Sequence, residues 1–260
     1  MCDEDCDLGG LCGLLKPKDL VQSDANKPGN EVISNTEKAL TQYDLGTALQ
    51  EQGRLREAIR CYKEALQLDA SLVDAHYNLG SAIQAQGNDQ EALVHYRHTL
   101  DLQPDHVLAN YNMGYILHEH NNLKEALTYF EHAARLEPND FDTHINLGNV
   151  LRELGNVERA IKCYLRAIEV DASCVMAYYN LGNALHDCGR IDEAISYFKK
   201  ATELDKEYVD AYFNLGIAYQ EQTDYAQALR CYDTCAQLDP DFQEAIEASN
   251  IIRMHNLATS

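Results

Sequence analysis

The stretch from Ala177 to Ala201, AYYNLGNALHDCGRIDEAISYFKKA, recurs along the chain at one fixed spacing. Its Leu181-Gly182 pair has a counterpart every 34 residues. The counterparts are Leu45-Gly46, Leu79-Gly80, Met113-Gly114, Leu147-Gly148 and Leu215-Gly216. Six units therefore cover residues 39–242 without an insertion, and this regularity predicts an array of stacked repeats instead of one globular core.

Two further landmarks keep the same register. An alanine stands twelve residues after each of these glycines, and an aromatic residue follows four later. The alanines are Ala58, Ala92, Ala126, Ala160, Ala194 and Ala228, and the aromatics are Tyr62, Tyr96, Phe130, Tyr164, Phe198 and Tyr232. The repeats are 39–72, 73–106, 107–140, 141–174, 175–208 and 209–242, and positions within each are numbered from its first residue.

This period and signature resemble the tetratricopeptide repeat (TPR), whose unit is a hairpin of a helix A and a helix B. Pro104, Pro138 and Pro240 stand near the end of helix B, where that family often has proline, whereas three repeats lack it. The resemblance implies an all-α fold, a right-handed superhelix of six hairpins. Residues 243–260 are predicted to form a C-terminal capping helix, with Ile251 and Ile252 on its apolar face and Arg253 facing away.

Two sites in each repeat carry a conformational prediction. Glycine at position 8 lies inside helix A, where it costs about 1 kcal/mol relative to alanine. Close approach of helix B through its alanine, with the aromatic residue beside it, is expected to compensate. Position 15 is predicted to end helix A in a left-handed conformation, with Thr223 the most strained. Position 15 is occupied by Gly53, Gly87, Asn121, Gly155, Gly189 and Thr223.

Charge and composition exclude several kinds of partner. The net charge of −21 argues against nucleic acid and anionic membranes, which bind lysine and arginine. No apolar run is long enough to cross a bilayer, so membrane insertion is not expected. Nine scattered cysteines suggest reduced thiols and an intracellular, cytoplasmic protein, with the nucleus also open. Residues 1–38 are expected to be mostly a flexible tail. Whether that tail folds into a groove or is modified at Cys2, Cys6 or Cys12 stays open.

The sequence contains no recognisable motif for catalysis or metal binding. Every glycine from residue 39 onward has a repeat role, which leaves none for a phosphate-binding loop. His118 and His120 lack the i, i+4 spacing of a zinc helix, and His95 with His98 has no evident third ligand, so solvated residues are expected there. The sequence therefore predicts no enzyme activity, no cofactor and no metal site.

A row of asparagines is the clearest candidate binding feature. The family resemblance assigns positions 2, 5, 6, 9, 12 and 13 of helix A to the concave face. Position 6 reads Asp44, then Asn78, Asn112, Asn146, Asn180 and Asn214. An amide offers a donor and an acceptor, so this row is predicted to grip the backbone of an extended peptide. It is similar to the asparagine ladder of the repeats in nucleocytoplasmic O-linked N-acetylglucosamine transferases, although the 260 residues contain no glycosyltransferase domain.

Acidic residues on the same face suggest the charge of the ligand. The predicted peptide-binding carboxylates are Asp74, Asp142, Asp210, Glu153 and Asp187. They favour a basic or neutral segment, although an acidic bias that merely keeps the surface soluble is the alternative. Tyrosines at position 5 are expected to pack between repeats. Lysine and arginine of a chaperone-tail clamp are absent from the required positions.

The function predicted from these features is a non-enzymatic scaffold or adaptor for other proteins. A substrate-recruiting arm or subunit of a glycosyltransferase, or of another multiprotein enzyme complex, is the alternative. Self-association stays open, because such arrays can pair through surfaces that carry no sequence signature.

Overall fold

The computed structural model describes residues 34–259, with side chains through residue 254. This part of the chain forms thirteen α-helices and no strand. The helices are α1 (Asn35–Glu51), α2 (Leu55–Leu68), α3 (Val73–Gln84), α4 (Asp89–Leu102), α5 (Val107–Glu119), α6 (Leu123–Leu136), α7 (Phe141–Glu153), α8 (Val157–Val170), α9 (Val175–Asp187), α10 (Ile191–Leu204), α11 (Val209–Glu221), α12 (Tyr225–Leu238) and α13 (Gln243–Thr259). The predictions for the tail and for Cys2, Cys6 and Cys12 lie outside the described residues.

The helices stack as hairpins in chain order. Each odd-numbered helix from α1 to α11 is the A helix of one repeat and packs on the following B helix. Each B helix also packs on the A helix of the next repeat, and several successive A helices touch directly. The prediction of an all-α TPR solenoid is confirmed.

Each hairpin is held together by one buried aromatic ring. All six position-24 rings, from Tyr62 to Tyr232, are at most 1% exposed. The ring lies where the side chain of the position-8 residue would be: a Cβ on Gly148 would stand 2.5 Å from Cε1 of Tyr164. The ring itself, more than the alanine that the sequence suggested, therefore requires the glycine. Burying such a side chain stabilises the hairpin by about 1.5–3 kcal/mol, which exceeds the helix cost of glycine.

The turns between helices A and B all use a left-handed residue. Position 15 has a φ between 72° and 79° in the four repeats where it is glycine. Asn121 and Thr223 adopt the same region, with φ of 58° and 60°. The prediction for these positions is confirmed. Thr223 carries the largest penalty, because a β-branched side chain is disfavoured at positive φ.

The last helix, α13, packs on α12 through a face that differs from the prediction. Ala245, Ser249 and Ile252 are buried, whereas Ile251 is 60% exposed. Arg253 was expected to face away, yet its guanidinium donates to Asp233 Oδ1 at 2.6 Å. The helix is rotated because its i, i+4, i+7 residues with small or branched side chains fit against α12.

A cluster of three histidines lies within the second hairpin. His76 of α3 stands with its ring centroid 5.7 Å from that of His95 and 5.1 Å from that of His98. The expectation of solvated residues is wrong for His95, which is half-buried because α3 covers it. Burial and the neighbouring His76 lower the pKa of His95 to about 4, and burial lowers the pKa of His76.

Replacing Thr223 by Gly should stabilise the protein. Glycine adopts positive φ without steric cost, so the free energy of unfolding should rise by about 1 kcal/mol in urea denaturation followed by circular dichroism. Gly155→Thr is the matched control, since no atom lies within 4 Å of an added Cβ there and only the backbone is strained. That variant should lose stability. A Thr223→Gly variant that is no more stable than the parent would show that the turn carries no strain.

Stability should fall as the pH drops from about 6.5 toward 4. The folded pKa of His95 lies below its value in an unfolded chain, so the unfolded state binds the proton more readily in this window. The stabilisation is therefore complete above pH 6.5 and is lost as the pH falls. His95→Gln should flatten the dependence of the urea midpoint on pH between about 7 and 4.5. An unchanged slope would contradict the assignment.

Candidate functional site

The asparagine ladder lies on the A helices and is tied to tyrosines one repeat earlier. Asn78 Nδ2 donates to Tyr43 Oη at 3.1 Å, and Asn146 Nδ2 donates to Tyr111 Oη at 2.9 Å. Asn214 repeats the arrangement, donating to the Tyr179 hydroxyl at 3.1 Å. Each tyrosine stands at position 5, so a hydrogen bond links successive A helices at the same height in the stack.

Two ladder residues use other partners, and the sequence explains one of the two cases. Position 5 of the fourth repeat is Ile145, which has no hydroxyl, and Asn180 instead donates to Asn149 Oδ1 at 3.2 Å. Asn112 donates to the buried Tyr96 hydroxyl at 3.1 Å. The structure therefore brings all five predicted asparagines into one row with fixed side chains.

Each ladder amide keeps part of its hydrogen-bonding capacity. An Asn Nδ2 group has two protons, and one suffices for the bond to tyrosine. Among the described residues, no donor bonds to the Oδ1 of any of the five ladder asparagines. Four of them are partly exposed, whereas Asn180 is only 9% exposed. Asn214 Nδ2 donates both to Tyr179 and to Asn183 Oδ1, at 2.8 Å, which uses its two protons. The row thus offers a free acceptor at all five asparagines and a spare donor at Asn78, Asn112, Asn146 and Asn180.

The tyrosines at position 5 are packed within their own hairpins. The Tyr43 ring lies 6.0 Å from the Tyr62 ring, and the Tyr111 ring lies 5.8 Å from the Phe130 ring. The aromatic body thus fills the hairpin seam while its hydroxyl reaches the next repeat. Sequence reasoning expected these rings to pack between repeats, whereas each packs on the position-24 ring of its own hairpin. It also missed the link from their hydroxyls to the ladder.

Aspartates at position 2 lie close to the ladder tyrosines. Burial and the Asp74 carboxylate raise the pKa of Tyr43, and burial with Asp142 raises that of Tyr111. Burial, Asp140 and Asp171 in turn raise the pKa of Asp142, since like charges oppose its ionisation. Within the described chain, Asp74, Asp142 and Asp210 form no ion pair. These carboxylates would gain from a cationic ligand.

The predicted carboxylates at position 13 are engaged instead. Glu153 Oε1 lies 2.8 Å from His118 Nε2, and Asp187 Oδ2 accepts from Arg152 at 3.1 Å. His186 and Glu221 continue the pattern at 3.1 Å. Position 12 of one repeat thus faces position 13 of the next, which sequence reasoning missed. Because each already has a hydrogen-bonded partner in the preceding repeat, Glu153 and Asp187 are weaker ligand candidates than the position-2 aspartates.

The residue types at positions 12 and 24 vary together, so the sequence itself indicates that the two positions are in contact. In three repeats the position-24 tyrosine donates to a glutamine at position 12, as Tyr62 does to Gln50 at 2.9 Å. Tyr96 pairs likewise with Gln84, and Tyr232 with Gln220. Where position 24 is phenylalanine, position 12 is histidine, because no hydroxyl is left to satisfy. That histidine turns to the next repeat.

The described chain shows two further absences. Between residues 34 and 259 there is no group of three or more His, Cys, Asp or Glu side chains arranged to hold a metal ion. No described helix is long and apolar enough to cross a bilayer.

Comparisons with known proteins agree with this architecture. Family models described as TPR repeat match residues 46–87, 148–187 and 182–223, and models described as tetratricopeptide repeat match residues 71–137, 129–162 and 209–242. No curated protein sequence matches the chain.

Solved structures share the fold. YrrB, described as a TPR protein with an unusual peptide-binding site, is 27% identical with a TM-score of 0.66, over 73% of this chain and 97% of its own. MamA is 26% identical with a TM-score of 0.61, over 67% and 95%. Pseudomonas aeruginosa PilF is 19% identical with a TM-score of 0.67, over 82% and 97%, which shows the fold alone. The repeats, the hairpin packing and these matches together place the chain in the tetratricopeptide-repeat family.

Proposed function

We propose that the protein is a non-enzymatic scaffold that binds an extended, basic or neutral segment of another protein along the A-helix face, the concave face of TPR domains. The observation that carries this proposal is the row of five ladder asparagines, held in fixed orientation, all with a free acceptor oxygen and four with a spare donor. Binding would order a flexible partner segment without chemical change.

The ladder suits a ligand backbone better than a ligand side chain. An extended chain presents a carbonyl and an N–H at regular intervals, and an amide can pair with both. Because the ladder side chains are already fixed by tyrosine, little side-chain entropy is lost when a ligand binds. Asn112, Asn146 and Asn180 would be the central grip, with Asn78 and Asn214 extending it.

The unpaired position-2 carboxylates supply the charge preference. Asp74, Asp142 and Asp210 recur along the same face and raise the local density of negative charge. At physiological salt the screening length is about 8 Å, so adjacent repeats still act on one bound segment. Glu153 and Asp187 would contribute less, because His118 and Arg152 already face them.

A related protein gives independent support. YrrB is described as having an unusual peptide-binding site and matches over most of both chains. Peptide binding is thus compatible with an array of this size and sequence similarity.

The test compares removal of the ladder asparagines with removal of the tyrosine hydroxyls to which they donate. Asn78, Asn146 and Asn214 are each changed to Ala in one triple variant. In the matched control, Tyr43, Tyr111 and Tyr179 are each changed to Phe, which removes the same three Asn–Tyr bonds but keeps the asparagines. Of the internal hydrogen bonds, only that from Asn214 to Asn183 differs between the two variants. Both variants should lose about 0.5–1.5 kcal/mol of unfolding free energy per bond. The asparagine variant should bind a fluorescent, unstructured lysine- and serine-rich peptide roughly tenfold more weakly. The tyrosine variant should lose much less affinity, because its asparagines lose only their fixed orientation.

Two outcomes in fluorescence anisotropy would overturn the ladder's role. Equal weakening in both triple variants would mean that the asparagines act only through repeat packing. Unchanged affinity in both, or no binding by the parent protein, would remove the backbone grip altogether.

A further inference from the structure

The row at position 2 of the A helices alternates in chemistry. Every second repeat carries aspartate there, and the repeats between carry a large apolar residue. In chain order the row reads Leu40, Asp74, Leu108, Asp142, Met176 and Asp210. The alternation is complete over all six repeats.

The apolar members of this row face solvent. Leu40 is 45% exposed, Leu108 is 38% exposed and Met176 is 50% exposed. They lie in the first turn of α1, α5 and α9 or close to it, where the stack does not cover them. Single exposed apolar side chains are common on protein surfaces, but these three recur at one position in every second repeat.

Two simpler explanations do not account for the row. Aspartate in a first helical turn interacts favourably with the helix dipole, which explains Asp74, Asp142 and Asp210 but not exposed leucine and methionine between them. Duplication of a two-repeat unit would make other positions alternate as well. Position 15 does not alternate, and position 24 alternates only from the second repeat onward, since Tyr62 in the first repeat departs from the pattern.

We infer that the position-2 row selects a polyproline II-like segment of a partner protein in which lysine or arginine alternates with a large apolar residue at every third position. This inference rests on the proposed function and specifies the side chains of its ligand. The aspartates would pair with the basic residues, and Leu40, Leu108 and Met176 would contact the apolar ones.

The spacing follows from two lengths. Four of the five pairs of successive A helices touch, and packed helices lie about 8–10 Å apart. A polyproline II segment rises about 3.1 Å per residue with three residues per turn, so every third side chain points the same way at intervals of about 9 Å. One turn of such a segment therefore matches one repeat.

The ladder fits the same ligand. A polyproline II backbone has no internal hydrogen bonds, so its carbonyl and N–H groups are available to the asparagine amides. Asp74 and Asp142 lie beside Tyr43 and Tyr111, whose hydroxyls hold Asn78 and Asn146. Backbone grip and side-chain selection would thus occur on one strip of surface.

The test exchanges two members of the row without changing composition. The double variant Leu108→Asp with Asp142→Leu keeps the net charge but reorders the row to apolar, acidic, acidic, apolar, apolar, acidic. Two labelled peptides of identical composition are compared, both with serine and proline between the selected positions. One places leucine and lysine alternately at every third residue, and the other places them in the reordered sequence.

The parent protein should prefer the alternating peptide by roughly tenfold, and the double variant should prefer the reordered peptide. Circular dichroism and the urea midpoint confirm that the variant is folded. If both proteins bind both peptides equally, the inferred spacing is wrong while the proposed scaffold function stands. If neither peptide binds either protein, the inference and the proposed function both fail.

Discussion

The contact between one aromatic ring and one glycine fixes the rest of this structure. The position-24 ring of helix B occupies the space above the position-8 glycine of helix A, as Tyr164 does above Gly148. Because the ring leaves no room for a Cβ there, this contact fixes the distance and the crossing angle between the two helices of a hairpin. Six hairpins with the same geometry stack in register. Residues at the same position of successive repeats therefore line up in rows.

The rows make different contacts. The tyrosine ring at position 5 packs in its own hairpin. Its hydroxyl accepts a hydrogen bond from the position-6 asparagine of the next repeat. Positions 12 and 13 join neighbouring repeats by charge, as Arg152 and Asp187 do. In the described structure, Asp74, Asp142 and Asp210 at position 2 form no ion pair, and no described donor bonds to the Oδ1 atoms of the ladder asparagines. We propose that a ligand binds where these groups lack partners within the protein.

Much of this could be predicted from the sequence, because a repeat fixes both the fold and the register. The hairpins, the left-handed turns and the row of asparagines all follow from the 34-residue spacing. The pairing of Glu153 with His118 could not be seen by taking positions singly, since it depends on the offset between successive helices. Nor could the rotation of α13, because Ile251 and Ile252 are equally apolar and only packing on α12 decides which is buried.

The central claim is that ladder amides bind a ligand backbone, and side-chain amide resonances report on it directly. In a ¹⁵N-correlated NMR titration with a lysine-rich unstructured peptide, the Nδ2 signals of Asn78, Asn112, Asn146, Asn180 and Asn214 should shift together with saturation of the binding site. Asn110 provides an internal reference, since its buried Nδ2 already donates to the Pro104 and His106 carbonyls, at 3.0 Å each. Ladder signals that stay in place while the peptide binds would contradict the account.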